Sequence, residues 1–544
     1  MTMQTTPLLL SRILGRGAQL DPEVEVVTLQ AEGSHRQTLA QTWNRANQLA
    51  HALDKHGIEI GDRVASFMWN NYRHLELYQA IPSMGAVLHT LNIRLGPADL
   101  EYIINHANDR VIFVDEDLLA LLEPVLDKIP CVELIVICRH GEGGESSFEN
   151  CVDYEDFIDG QAEKFEWPQI DENSPMALCY TSGTTGKPKG AMYTHRSTYL
   201  HTITECLADA MALSALDSVC EIVPMFHAMG WGLPFAASMV GCKQILPHRF
   251  MTPDALVKAM ADEQATISAG VPTIWQGIRG LLEAEPDRYD LSHLQRLTCG
   301  GSAPPVSLMR WYWDAYKVEM IQGWGMTETN PLATLSKKIA KRSHLTLTED
   351  EQFENIAKAG LTMPGLEIEI FDDEWNPVPH DGVSVGEVLI RGPWIVSEYY
   401  KDPQPDKFHG DWLITGDVAK IDPGGYLMIS DRSKDLIKTG GEWISSLDLE
   451  NHIVALPAIV QAAVVAQPHP KWDERPVAMV ILSEGAELNV DEVMAHCLTN
   501  FAKWQLPDEI IAVESIPLTS TGKIDKKMIR ANLEEQGYKL PDLR

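Results

Sequence analysis

"YTSGTTGKPKG", residues 180–190, decides how the rest of this chain is read. Apolar "MALC" (176–179) leads into it and "AMYTHRST" (191–198) follows. Gly183, Gly186 and Gly190 allow backbone conformations closed to other residues and let a ligand come close. Ser182, Thr184 and Thr185 offer hydroxyls, and Lys187 and Lys189 offer positive charge. Backbone N–H groups turned inward around such a loop suit phosphate oxygens. The segment is not a Walker A loop, because Gly186-Lys187 is followed by Pro188 rather than Ser or Thr. Proline also blocks the helix that a Walker lysine would open. A different, mobile phosphate loop is expected, with a helix beginning near Ser197.

Outward from this segment, strand-like apolar runs alternate with amphipathic runs up to about residue 370. "RVASFMW", "HLELYQAIPSMG" and "AVLHTLN" (63–92) form one such series, and "VIFV" and "LIVIC" are short buried strands. That alternation predicts α/β layers with largely parallel sheets. From residue 366 the texture changes. "LEIEIFDDEWNPVP", "GEVLIRG" and "GYLMISDR" read as a small antiparallel β unit. After "DRSKDLIKTGGEW" comes a compact α+β stretch of about a hundred residues. The expected division is 1–433 and 434–544, the second part being a small mobile domain.

The chain has 544 residues, which is roughly three to four folding units. Its 45% apolar and 22% charged residues are ordinary for a globular enzyme. Nine scattered cysteines without a C-x-x-C pair exclude a disulfide framework or zinc ribbon and fit a cytoplasmic protein. "MTMQTTPLLLSRIL" lacks a basic residue before a short, interrupted apolar run, so no export signal is read, and no stretch of 18 apolar residues occurs. A formal charge of −33 opposes a nucleic-acid groove. The basic cluster "KKIAKRS" (337–343) is read as a solvated helix face.

"YTSGTTGKPKG" resembles the phosphate-loop signature of the acyl-adenylate-forming superfamily. Further signatures follow in that family's order: "PMFH" (224–227), "GGSAP" (300–304), "QGWGMTET" (322–329), "TGD" (415–417), "DRSKDLIKTGGEWIS" (431–445) and "TSTGK" (519–523). "PMFHAMGW", "TGGEWIS" and "PHPKWDERP" look most like bacterial medium- and long-chain fatty acyl-CoA synthetases, and ligases for 3-methylmercaptopropionate look similar. "GGSAP" superficially resembles a G-x-S-x-G nucleophile elbow, but Pro304 occupies the last glycine position, which excludes a serine hydrolase.

The resemblance implies two half-reactions. A carboxylate attacks the α-phosphate of ATP to give acyl-AMP and pyrophosphate, and the CoA thiol then displaces AMP. An anion approaching a polyanion is helped by positioning and charge neutralisation. By resemblance Glu328 is the Mg2+ ligand, with Thr181 a second contact, and Thr327 touches the α-phosphate. An isolated Thr-Glu pair is more often a helix cap, so the surrounding motif carries this assignment. Gly301, Ser302, Ala303, Gln322 and Gly323 match the adenine side, and Trp324 stands where many relatives stack a tyrosine. Asp417 matches the ribose carboxylate and Arg432 a second ribose or phosphate contact. Ser182, Gly183, Thr184, Thr185, Gly186 and Lys189 complete the nucleotide set, with Trp443 closing over it. Lys523 matches the adenylation lysine, Lys434 the hinge, and Lys438, Gly440 and Gly441 the segment facing the CoA channel. His227 and Trp231, the latter between Gly230 and Gly232, match the acyl entrance; a core histidine remains the alternative for His227.

The cofactors implied are ATP, Mg2+ and CoA. Similar synthetases often form homodimers through the N-terminal domain, and "TTPLLLSRIL" reads as an arm for exchange. An acyl carrier protein in place of CoA, luciferase-type oxidation and a non-catalytic nucleotide binder are the competing readings. Glu328, Asp417, Lys434 and Lys523 stand against the last.

Overall fold

The structure is a computed structural model and describes residues 3–141, 148–181, 187–440, 442–483, 485–519 and 523–538. Two large sheets dominate the first 362 residues. In one, Glu25–Leu29, Lys243–Leu246, Ser218–Cys220, Ile267–Gly270, Arg296–Cys299 and Glu319–Gly325 run parallel, with antiparallel strands at both edges. In the other, Cys151–Asp153, Leu134–Cys138, Asp109–Asp115, Arg63–Phe67, Val87–Thr90 and Pro175–Tyr180 run parallel, and Gly190–Thr194 closes the edge antiparallel.

The helix Tyr72–Ser83 follows the strand Arg63–Phe67, and every one of its 12 residues is buried. A helix covered on all sides must pair its polar groups. Glu76 accordingly accepts from Arg45, Gln37 and Tyr154, and His74 bonds Ser66 and the Trp69 carbonyl. The core between the two sheets takes in Tyr78, Phe113, Tyr193 and Phe235. Leu9, Leu10, Ile13 and Leu14 are buried too, three of them in that same core. The segment read as an arm for exchange thus contributes side chains to that core.

The third sheet is antiparallel and holds Glu367–Phe371, Gly386–Arg391, Trp412–Ile421, Phe408–His409 and Leu427–Arg432. Burial along Trp412–Ile421 alternates residue by residue, as the period of a half-buried strand requires. The fourth sheet lies in the C-terminal domain and joins Glu442–Ile444, Ile437–Thr439, Asp473–Leu482, Ile459–His469 and Glu509–Ala512. The fold is thus mixed α/β, with a large N-terminal domain, an antiparallel β unit and a small C-terminal domain.

The basic run 337–343 is not a solvated helix face. It forms a turn leading into a single 3-10 segment, Arg342–Thr346. Lys338 is buried, lying 3.5 Å from the centroid of the Trp313 ring and 2.8 Å from Glu349. Its ammonium sits over the face of the indole and pairs with the Glu349 carboxylate, so the buried charge keeps two partners. No helix among the described residues is long and apolar enough to cross a membrane.

Candidate active site

The phosphate-loop segment closes a hairpin. Tyr180 pairs with Gly190 at the ends of two antiparallel strands, and the Thr181 N–H donates to the Lys189 carbonyl at 2.8 Å. Gly190 is required by close approach, since a Cβ there would sit 2.9 Å from Leu178 and 3.2 Å from Tyr400. Ser182, Gly183, Thr184, Thr185 and Gly186 lie outside the described residues. The following helix starts at His195, where the Thr194 hydroxyl accepts from the Ser197 N–H. The Lys189 ammonium donates to Gln404 Oε1 at 2.6 Å and lies 5.2 Å from the Tyr399 ring. Lys187, Lys189 and Lys407 border an open cleft of about 530 Å3 together with Asp402, Asp406 and Tyr102.

Three sheets converge beside this loop. The strand Arg296–Cys299 runs into Gly300 and Gly301, the latter with φ 82°. Ser302 is exposed and Ala303 half-buried. The neighbouring strand Glu319–Gly325 carries Gln322, Gly323 and Trp324, and Gln322 pairs with Cys299. Gln322 is buried, and its Oε1 has no hydrogen-bond partner. From the antiparallel unit come Asp417 and Arg432, directly opposite each other. Arg432 Nε is 2.8 Å from Asp417 Oδ1, and the Trp324 indole N–H donates to Asp417 Oδ2 at 3.0 Å. Burial pushes the Asp417 carboxyl up, and the Arg432 guanidinium pulls it back.

Glu328 stands on the turn Thr327–Thr329 and is only 7% exposed. Its Oε1 accepts from the Tyr399 hydroxyl at 2.7 Å, and the Tyr193 hydroxyl holds the Thr327 carbonyl at 2.6 Å. Among the described residues it has no ion pair with a cation. Lys523 reaches into the same space: its Cε would lie 3.2 Å from a Cβ on Gly301. Burial and the Arg432 charge push its pKa down to about 8, against the pull of Asp417 and Glu328.

His227 and Trp231 lie next to this cluster. His227 is half-buried and is pushed down to about 3 by burial, by Lys523 and by Arg94. It is therefore neutral at pH 7. Residues 228–232 form a left-handed turn: φ is 43° at Ala228, 54° at Met229, 59° at Gly230, 57° at Trp231 and 83° at Gly232. For the three L-residues this costs about 1–2 kcal/mol each. Such strain persists where the surroundings fix it. The Trp231 ring edge lies 3.1 Å from where a Cβ on Gly300 would stand. The indole thus abuts the strand end that leads into Gly301.

The C-terminal residues divide. Lys523 enters the cluster, whereas Lys434 and Lys438 are exposed. Trp443 is 55% exposed, and the Lys438 ammonium lies 5.7 Å from its ring centroid. The Gly440 N–H donates to the Trp472 carbonyl at 2.9 Å, and Gly441 lies outside the described residues. Tyr399, Tyr193 and Gln404 were not read from the sequence. Their only signal is the run "EYYKDPQ" (398–404) and one tyrosine in a strand, neither of which carries a motif.

Residues 16–400 match the family model described as AMP-binding enzyme, and residues 448–523 match the AMP-binding enzyme C-terminal domain. The chain is 40% identical over 538 residues to 3-methylmercaptopropionyl-CoA ligase of Ruegeria lacuscaerulensis, covering 98% of each. It is 40% identical over 531 residues to medium-chain-fatty-acid–CoA ligase of Ectopseudomonas oleovorans, covering 97% of this chain and 96% of that one. Among solved structures it is similar to anthranilate CoA ligase AuaEII in complex with anthranoyl-AMP, with a TM-score of 0.86, 26% identity, and 97% and 99% coverage. With both family models matched in order and these relatives aligned end to end, the chain belongs to the AMP-binding enzyme family and is an AMP-forming acid–CoA ligase.

Proposed function

We propose that this enzyme activates an aliphatic carboxylic acid, a medium-chain fatty acid first, by attack of its carboxylate on the α-phosphate of ATP beside the Lys523 ammonium, releasing pyrophosphate, and then passes the acyl group to CoA with release of AMP. The observation that carries the assignment is the approach of Lys523 to Gly301, between Asp417 and Glu328 and beside His227. An ammonium there is pre-placed for the oxygens of the α-phosphate and of the attacking carboxylate. Asp417 and Arg432 are proposed as the ribose contacts. Gly301, Ser302, Ala303, Gln322, Gly323 and Trp324 are proposed as the adenine wall, and Thr181, Lys189 and Thr327 as phosphate contacts. Neutral His227 orients the substrate carboxylate without pairing with it as a cation.

Mg2+ fits Glu328, a buried carboxylate without a cationic partner among the described residues. It would supply charge neutralisation on the phosphates, with Thr181 as the second contact. The thioester step is assigned to the segment of Lys438, Gly440 and Gly441, reached by rotation about Lys434 at the 1–433/434–544 division. Lys438 is exposed while Lys523 is half-buried at Gly301, which supports two arrangements rather than one. A homodimer in the cytoplasm is proposed on resemblance and on the unpaired cysteines.

A second reading is 3-methylmercaptopropionate or a long-chain fatty acid as the substrate, favoured by relatives of those names at 40% and 43% identity. The test is a panel of acids from three to eighteen carbons, including the methylthio acid, with ATP and CoA. AMP and pyrophosphate formed fastest with C6–C12 acids would support the first reading. A maximum at the methylthio acid or at C16–C18 would replace it. Product formed only with acyl carrier protein would exclude CoA as acceptor.

A further inference from the structure

Away from the nucleotide cluster, three side chains from three different segments point at one spot. Asp115 ends the strand Asp109–Asp115, and His140 follows the strand Leu134–Cys138 of the same sheet. His248 follows the strand Lys243–Leu246 of the other large sheet and bridges to Asn70. The donor atoms of all three lie within 4.8 Å of one another. His140 Nε2 is 3.1 Å from Asp115 Oδ1, while His248 Nε2 is 3.9 Å from Asp115 Oδ2.

We propose that Asp115, His140 and His248 form a binding site for a divalent transition-metal ion of the zinc class, tying the two large sheets together.

An ordinary hydrogen-bonded triad accounts for His140 and Asp115 but not for His248. That ring is 5% exposed, and its Nε2 is buried with no hydrogen-bond partner. A buried polar nitrogen without a partner calls for an explanation. The gap of 3.9 Å is too long for a hydrogen bond, and ligands on one small ion are separated by about this much or slightly less. Two imidazoles and one carboxylate suit Zn2+ or its neighbours, leaving a fourth position open. Mg2+ or Ca2+ would want oxygen donors throughout.

The carboxylate is also held as a ligand would be. Asp115 Oδ2 accepts from the Trp69 N–H at 2.8 Å and from Asn71 Nδ2 at 2.9 Å. Such outer partners fix a ligand's orientation. Asp117, two residues on, is engaged by Trp69 Nε1 and by Arg249 and is not counted as a ligand.

The test uses chelator-treated full-length protein without nucleotide. It is titrated with Co2+, whose visible absorption reports nitrogen-containing low-coordinate sites, and then with Zn2+ in competition. Bound metal per chain and thermal stability are measured in parallel. One equivalent of Co2+ displaced by one of Zn2+, with a melting temperature that rises with Zn2+ concentration, is the expected result. His140→Ala and His248→Ala should each weaken binding by more than the roughly 10–100-fold that loss of an outer partner costs. His380→Ala, at an exposed histidine paired with Glu369, should bind as the parent does. Absence of stoichiometric uptake by the parent overturns the proposal, and so does uptake that survives both substitutions together. If His248→Ala fails to fold, the less buried His140 decides, with circular dichroism confirming that its variant is folded.

Discussion

Lys523 carries the adenylation assignment. Replacing it with alanine removes one preorganised donor, which costs on the order of 10²–10³ in rate, ~3–4 kcal/mol. Adenylation should fall by that factor while thioester formation from supplied acyl-AMP persists; an equal loss in both steps would refute the role. The form proposed to act is the ammonium, and burial and Arg432 hold its pKa down at about 8. The kcat/KM for ATP should therefore decline as pH rises through about 8, because this parameter reports groups of the free enzyme. Glu221 gives an independent pH test. It is buried, neither oxygen has a hydrogen-bond partner, and its pKa is pushed up to about 8 by burial. The native state keeps a proton that the unfolded chain releases near 4.5. Stability from this group is thus present below about pH 4.5 and lost as pH rises to about 8, by up to ~1.4 kcal/mol per unit. Glu221→Gln carries no titrating proton, so its stability relative to the parent should improve between about pH 5 and pH 8. Urea unfolding at both pH values checks this, and a constant difference would contradict it.

The left-handed turn 228–232 joins sequence to function at the level of an element. Two of its five residues are glycines, but Ala228, Met229 and Trp231 also take positive φ, which no residue-type preference would foretell. Gly232 is fixed by what lies behind it: a Cβ there would stand 2.6 Å from Glu205 and 2.8 Å from His201. Trp231 faces the other way, against Gly300. Trp231→Ala should raise KM or lower turnover for the acid and leave ATP affinity nearly unchanged. A loss confined to nucleotide binding would move Trp231 to the other pocket. The basic run 337–343 teaches the converse. Its charges read as solvated, yet Lys338 is buried because Trp313 and Glu349, far along the chain or across a turn, both receive its ammonium.

For the whole molecule, the question is rotation of the C-terminal domain. Proline fixes φ near −65°, so Lys434→Pro should hold one arrangement. With Lys523 already in the cluster, pyrophosphate should still form while CoA consumption collapses. Lys434→Ala leaves the backbone free and should retain both steps; a proline variant with both steps intact would move the hinge elsewhere. A contact across that division gives a second handle. Asp431 Oδ2 accepts from the Ser446 N–H at 2.7 Å, at the start of the helix Ser446–Ile453. Rotation about Lys434 would break this bond, so Asp431→Ala should slow adenylation more than thioester formation from supplied acyl-AMP. Single-turnover rates of the two half-reactions measure the ratio, and equal slowing would exclude a latch.

The sequence by itself determined the layered α/β class, the change of texture at 366 and the ordered series of motifs. Strand and helix periods are local, and a motif is a run of neighbours whose spacing survives in one dimension. The strands Arg63–Phe67, Asp109–Asp115 and Leu134–Cys138 lie where the apolar runs place them. Tertiary structure alone decided what each site residue touches. Tyr399 is 71 residues from the Glu328 it holds, Trp324 is 93 from Asp417, and His248 comes to Asp115 from another sheet. Likewise, the direction of the Lys523, Asp417 and Glu221 pKa shifts depends on which groups burial brings near and which it leaves without water, and a linear order of residues contains neither.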